Sequence, residues 1–412
     1  MLDFFSYPFS IFKFALVERR PKNNFMANLK LSDDTFGPLL PYVQNNNITD
    51  IRWDGNNLWI DDLTKGKVRT DLKLEQKFIN KFTQRVADST NASFNASSPV
   101  LEGETDSLRI ACLHESKTNT GTAITIRKTE AECRLNDEKI IDEGYLDSKS
   151  LDLLKRLVQA RASIVVTGDT GSGKTEFIKY LMKSIPDKVT TLTLEDNYEL
   201  RAKALRPNYD CTEIKFDTNF TPTDAIKAAL RQNTKWLILS ESRSREAAQL
   251  LEAASTGCSV MTTIHSWDVR NIPERFENMI GETNNDVKND VYNFFDVGIL
   301  IIKKEENGIT RHVEQICFFD HHGETNEAIM LMEYGQLKKC HLPDKIRNKF
   351  KLYDVEIPEG FFVDENGKDI SRSIKKLESL KTFENFEKVE EAEKEPSLFD
   401  ISETFRTNEG GQ

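Results

Sequence analysis

The residues with the plainest chemistry are Gly168-Asp169-Thr170-Gly171-Ser172-Gly173-Lys174-Thr175, which carry the spacing GxxxxGK[ST]. They follow a short aliphatic stretch, Ile164 to Thr167, and open a helical pattern at Lys174. A strand, a loop and a helix in that order are the setting a phosphate cradle requires. Gly168, Gly171 and Gly173 let the backbone wrap closely enough to aim N–H groups at phosphate oxygens, and the helix N-terminus adds partial positive charge. Lys174 is expected to reach the β and γ phosphates of ATP, and Thr175 to hold magnesium through its hydroxyl. Thr170, Ser172 and Glu176 complete the expected nucleotide-binding set.

Three further segments bring acids, hydroxyls and a histidine to the ends of hydrophobic runs. Thr193 to Leu200 ends a strand pattern with Glu195, Asp196 and Glu199, and strand C-termini of open parallel sheets are where ligands bind. Leu237-Ile238-Leu239-Ser240-Glu241 is a hydrophobic strand ending in an acid, the arrangement of a Walker B element, and Glu241 is the second expected magnesium contact. Thr262-Thr263-Ile264-His265 brings a histidine to the same crevice. Structural roles stand beside these: Glu195 and Glu199 as a solvated strand end, Glu241 as a helix-cap neighbour, His265 as a satisfied histidine. His321, His322 and His341 lack matching acidic or Cys ligands at metal spacing.

The elements that must position these groups alternate. Strand patterns at Ile164 to Thr167, Val189 to Leu194, Trp236 to Ser240 and Ser259 to Ile264 are separated by helical patterns at Lys174 to Ser184, Asp224 to Gln232 and Ser244 to Ser255. That order predicts an α/β fold, a parallel sheet covered by helices, over residues 149–335. Gly298 to Lys303 and Thr310 to Phe318 flank Asn307-Gly308 as a hairpin. Upstream, residues 35–128 predict a smaller α+β domain, with a hairpin at Ile48 to Trp53 and Leu58 to Asp61, a helix at Leu74 to Asp88 and strands at Leu108 to Leu113 and Ala123 to Arg127. Residues 129–148 are expected as a linker, 1–34 as an N-terminal segment, and 336–412 as a charged, partly disordered extension with a Glu/Lys-rich run from Phe383 to Pro396.

A formal net charge of −11 over 412 residues argues against coating nucleic acid through a basic face and leaves any DNA contact local, so no direct sequence-specific nucleic-acid binding is expected. Six cysteines without a CxxC pair predict neither a zinc knuckle nor a disulfide framework and suit a reducing cytosol. The aromatic stretch from Phe4 to Val17 is broken by Pro8 and Lys13 and reads as an amphipathic terminus rather than a membrane span.

The four boxes in this order, from the P-loop to His265, resemble the secretion ATPase superfamily, the hexameric motors of type II secretion, type IV pili, and type IV secretion and conjugation. The resemblance runs from about Leu101 to Glu333. It implies a RecA-like P-loop NTPase domain behind the smaller domain, ATP hydrolysis supported by Glu195, Glu241 and His265, and a phosphate clamp formed by Arg109 and Arg127. Arg243, kept from the family's Gly-Glu-x-Arg run, joins the nucleotide set, whereas Ser240 replaces that Gly, the family's Pro-Asp pair is not kept around Arg231-Gln232-Asn233-Thr234, and Cys258 replaces the histidine of Thr-Gly-His. These departures bear on hydrolysis rate more than on nucleotide binding. With neither a four-cysteine zinc element nor a pilus-retraction signature, the chain is most similar to the type IV secretion and conjugation branch. The resemblance further implies a homohexamer working with inner-membrane complex components, cytoplasmic and peripheral at the inner face of the membrane. A pilus or type II assembly ATPase, a small-molecule kinase and a nucleotide-binding adaptor with little hydrolysis are the other readings; a kinase lacks its Arg-rich lid after Lys174.

Overall fold

A computed structural model describes residues 31–129, 131–281, 285–306 and 308–363. The stretch from Phe4 to Val17, Asn307 and the run from Phe383 to Pro396 lie outside the described residues. Contacts divide the chain into two compact units, Met1–Asp62 with Lys67–Lys128, and Leu63–Gly66 with Thr129–Gln412.

The first unit is α+β. Two short helices, α1 (Asp33–Phe36) and α2 (Leu40–Gln44), lead into β1 (Ile48–Trp53), β2 (Leu58–Asp62) and β3 (Gly66–Arg69). Next come α3 (Gln76–Thr90), β4 (Val100–Glu104), β5 (Leu108–Leu113) and β6 (Ala123–Lys128). The strands form one sheet in the order β3-β2-β1-β6-β5-β4. Asp54 makes the β1–β2 turn by accepting from the backbone N–H groups of Asn56 (2.9 Å) and Asn57 (2.8 Å). Gly55 takes φ +100° there, and a Cβ on it would stand 2.2 Å from the Thr120 carbonyl oxygen, so only glycine serves. Ile79, Phe82 and Val86 of α3 are buried in one cluster with Ile51, Ile110 and Ile126 of the sheet.

The second unit is built on a nine-stranded sheet. Its elements run α4 (Asp137–Asp142), α5 (Ser148–Gln159), β7 (Ile164–Gly168), α6 (Lys174–Met182), β8 (Thr191–Glu195), α7 (Ala202–Leu205), β9 (Cys211–Lys215) and α8 (Pro222–Leu230). They continue with β10 (Trp236–Leu239), α9 (Glu246–Ser255), β11 (Ser259–Ile264), α10 (Ile272–Ile280), α11 (Asn285–Phe294), β12 (Val297–Lys304), β13 (Thr310–His322), β14 (Thr325–Glu333), β15 (Gln336–Leu337) and α12 (Asp344–Leu352). The order is β15-β14-β13-β12-β7-β11-β10-β8-β9, parallel from β12 to β9 and antiparallel from β12 to β15. β7, β8, β10 and β11 are buried on both faces, which explains their unbroken aliphatic character. Alternation sends Val165 into a cluster with Leu192, Leu194, Leu237 and Leu239, and Ile164 and Val166 into another with Phe177, Leu181 and Ile238.

Two stretches differ in character from their polar composition. The expected linker carries α4, capped by the Asn136 side chain, and buries Leu135, Ile140, Tyr145 and Leu146 in the second unit's core. The expected extension joins the same core through Leu342, Ile346, Phe350, Phe361 and Phe362. β3, β4, β9 and β14 are strands that the sequence patterns did not single out.

Candidate functional site

β7, β8, β10 and β11 are neighbours running in parallel, so the residues that follow their last positions gather at one edge of the sheet. β7 ends in the cradle. Gly168 sits at φ +145°, where a Cβ would lie 2.3 Å from the Ile301 carbonyl oxygen, while Gly171 and Gly173 take φ +75° and +93°. Lys174 opens α6 and donates from Nζ to the carbonyl oxygens of Gly168 (3.0 Å) and Asp169 (2.9 Å). Burial depresses the Lys174 ammonium below the usual lysine range, against the opposing pull of Glu241 and Asp169. Thr175 and Glu176 follow in the first turn, and Glu176 Oε1 accepts from the Arg134 backbone N–H while its other oxygen lies 3.5 Å from Lys179.

Glu241 is held between two strand ends, because Ser240 N–H donates to Leu194 (3.1 Å) and Ser242 N–H donates to Thr263 (2.9 Å). Its Oε2 accepts from Arg243 Nη2 at 2.8 Å and its Oε1 lies 3.2 Å from His265 Nε2. Burial pushes this carboxyl up, but Arg243, His265 and Lys174 together bring it below the usual carboxylate value. His265 Nδ1 stands 3.2 Å from the Gly168 carbonyl oxygen. Arg243 reaches Asp196 Oδ2 with Nη1 at 3.3 Å, and its bond to Glu241 raises its own pKa. Glu246 shapes the loop beneath by accepting from the N–H groups of Arg243 (2.6 Å) and Ser244 (2.9 Å). Two residues past His265, Trp267 is 75% exposed.

The structure therefore brings Lys174, Glu241, Arg243 and His265 around the cradle. Glu195, expected to support hydrolysis, is fully buried, and its Oε1 accepts from the N–H groups of Glu199 (3.0 Å) and Leu200 (2.9 Å). It shapes its own loop, and its neighbour Asp196, beside Glu241, meets Arg243. Arg109 and Arg127 are direct cross-strand partners in the first unit, in one row with Asp50 and Glu104, and Arg127 Nε donates to Asp50 Oδ1 at 2.7 Å. Asp196 and Glu246 were missed in the sequence; the pairing of Glu195 with Asp196 was the one signal for the former. Arg311 was missed as well: from β13 its Nε donates to the Gly171 carbonyl oxygen at 3.1 Å.

The cradle suits a phosphate-bearing ligand. The first N–H groups of α6 have no partner within the helix, the three glycines admit a close approach, and Ser172 Oγ is buried without a hydrogen-bond partner among the described residues. For magnesium, the Thr175 hydroxyl and the Glu241 carboxylate offer hard oxygen donors of the kind that ion prefers. Among the described residues no helix is long and apolar enough to cross a membrane, and all six cysteines are free.

Residues 96–359 match the family described as type II/IV secretion system protein. An uncharacterized Bacillus anthracis protein is 28% identical over 260 residues, covering 62% of this chain and 58% of that protein. The type IV secretion system protein VirB11 of Brucella suis is 28% identical over 182 residues, covering 41% of this chain and 50% of VirB11. The chain thus spans about half the length of the curated relatives it matches. Among solved structures, the Yersinia pseudotuberculosis ATPase DotB aligns with a TM-score of 0.51 at 18% identity, covering 69% of this chain and 78% of DotB, which shows a shared fold.

Proposed function

Because this chain belongs to the type II/IV secretion system protein family, we propose that it is an ATP-hydrolysing motor, hexameric, serving a type IV secretion or conjugative transfer system at the inner face of the cytoplasmic membrane. The observation that carries this reading is the joining of Glu241 to Arg243 and His265 beside a GxxxxGKT cradle. ATP would lie with its phosphates along Gly168 to Thr175, Lys174 reaching the β and γ phosphates. Magnesium, held through Thr175 and near Glu241, would neutralise charge developing on those phosphates. In the chain itself, Glu241 orients the attacking water, since its carboxylate is ionised and aimed by Arg243 and His265. Asp196 and Glu246 position Arg243, and Glu195 positions the loop carrying Asp196.

Phosphate release and nucleotide binding in two variants test the reading. Lys174→Ala is expected to lower turnover at least ~100-fold, the usual scale for losing a charge that stabilises the transition state. Glu241→Gln is expected to bind ATP with near wild-type affinity while phosphate release stops. Equal loss of binding in Glu241→Gln would remove Glu241 from the water-orienting role. Light scattering with ATP present checks the ring, and a monomer at micromolar concentration would count against it.

A second reading has one observation in its favour. Both Glu241 oxygens are engaged, by Arg243 and His265, which suits a nucleotide-binding adaptor with little hydrolysis. Wild-type protein that retains ATP for hours without releasing phosphate would favour this adaptor.

A further inference from the structure

We propose that Arg311, with Lys303 beside it, is a second cationic contact for the phosphate chain of bound nucleotide, at the opposite end of the cradle from Lys174 and shared by ADP and ATP. The inference rests on the nucleotide-site reading above. Lys303 of β12 and Arg311 of β13 are direct cross-strand partners, so their side chains share one face of the hairpin. That face meets the cradle. Arg311 Nε donates to the Gly171 carbonyl oxygen at 3.1 Å, and its Cδ lies 3.5 Å from where a Cβ on Gly173 would stand. Lys303 Nζ lies 3.8 Å from the corresponding position on Gly171.

Like charges placed directly opposite one another on a sheet repel, so the pair calls for anions. Lys303 has one in Glu305 at 2.5 Å. Arg311 makes no ion pair among the described residues, although it is partly buried. Burial lowers its pKa, with Tyr145, Glu143 and Glu305 opposing the shift and Arg134 adding to it. Two buried polar atoms nearby also lack hydrogen-bond partners among the described residues, Ser172 Oγ in the loop and Tyr145 Oη, whose ring lies 5.5 Å from that of Phe177 in α6. Two neighbouring cations beside unpaired polar atoms suit an anion.

The position assigns which part of the anion it takes. Lys174 Nζ faces Gly168 and Asp169, at the strand end of the loop where Glu241 also acts on it. A P-loop lysine serves the β and γ phosphates, so a cation at Gly171 and Gly173 faces the remainder of the chain, toward the α phosphate.

Calorimetric titration of ADP and of ATP, each with magnesium, into the full-length protein and its variants separates the outcomes. Arg311→Ala is expected to raise both dissociation constants by the same factor, ~10-fold or more, as loss of a charge-assisted hydrogen bond implies. Arg311→Lys should recover most of that affinity and Arg311→Gln little of it, because charge rather than a hydrogen bond to Gly171 is what matters. Lys303→Ala should weaken both nucleotides by a smaller common factor. Unchanged affinity in Arg311→Ala, a loss confined to ATP, or recovery by Gln equal to that by Lys would each overturn the proposal. Should Arg311→Ala fail to fold, the Lys and Gln pair still decides. Wild-type protein that binds neither nucleotide at millimolar concentration would instead refute the nucleotide-site reading.

Discussion

Glu195 ends β8 with its carboxyl fully buried, and burial lifts its pKa from 4.5 to about 8 despite two backbone N–H donors. Between those two values the unfolded chain has lost the proton while the folded chain keeps it, so stability falls as pH rises through the window and levels off above it. The slope has an upper limit of roughly 1.4 kcal/mol per pH unit. Glu195→Gln keeps an oxygen acceptor for Glu199 and Leu200 but cannot titrate. Thermal denaturation between pH 5 and pH 8 is therefore expected to show a falling midpoint in wild type and a flatter one in the variant, and parallel profiles would refute the assignment. At this scale the cradle was legible because its glycines and Lys174 are contiguous. Arg311 was not, since 140 positions separate it from Gly171 and only the sheet brings them together. Asp196 was obscured by Glu195: at the end of a strand buried on both faces, alternation of polar and apolar residues does not announce which of two adjacent acids turns toward Arg243.

The α12 helix shows why composition misled at the scale of elements. In Asp344–Leu352 only Ile346 and Phe350 are buried, one helical turn apart, and most of the remaining positions read as solvent-facing charge. Two of those charges face inward. Lys349 Nζ meets Asp296 Oδ2 at 2.5 Å, and Lys345 Nζ donates to the carbonyl oxygens of Tyr292 (2.7 Å) and Phe295 (2.6 Å) at the end of α11. Asp296 is 1% exposed and also accepts from Ser163 N–H at 2.6 Å. Lys349→Met removes the nearest positive charge from a buried carboxylate and is expected to destabilise by ~3 kcal/mol in chemical denaturation. Adding Asp296→Asn should return part of that loss, whereas additive effects would place the two residues in separate interactions. The long alternating elements, by contrast, were legible: β5, β11 and the β1–β2 hairpin fall where hydrophobic pattern and turn residues put them.

For the molecule as a whole, two units carry separate cores. The row Asp50, Arg127, Arg109 and Glu104 lies across four strands of the first unit, while Ile51, Ile126 and Ile110 supply its buried side. Arg109→Ala with Arg127→Ala should therefore leave that core intact. If the two arginines act on the terminal phosphate, as the family resemblance implies, the double variant is expected to weaken ATP ~10-fold or more and ADP little, a difference that equilibrium titration reads directly. Equal binding of ATP by the variant and wild type would remove both arginines from that role. One further property follows from the segment after His265. Of the four tryptophans, Trp53 and Trp236 are shielded and Trp59 is half-buried, whereas the Trp267 indole stands in solvent two residues from the histidine that touches Gly168 and Glu241. The protein thus carries an intrinsic fluorophore on its His265 segment, open to aqueous quenchers, and the difference in emission between wild type and Trp267→Phe reports on that segment without any label.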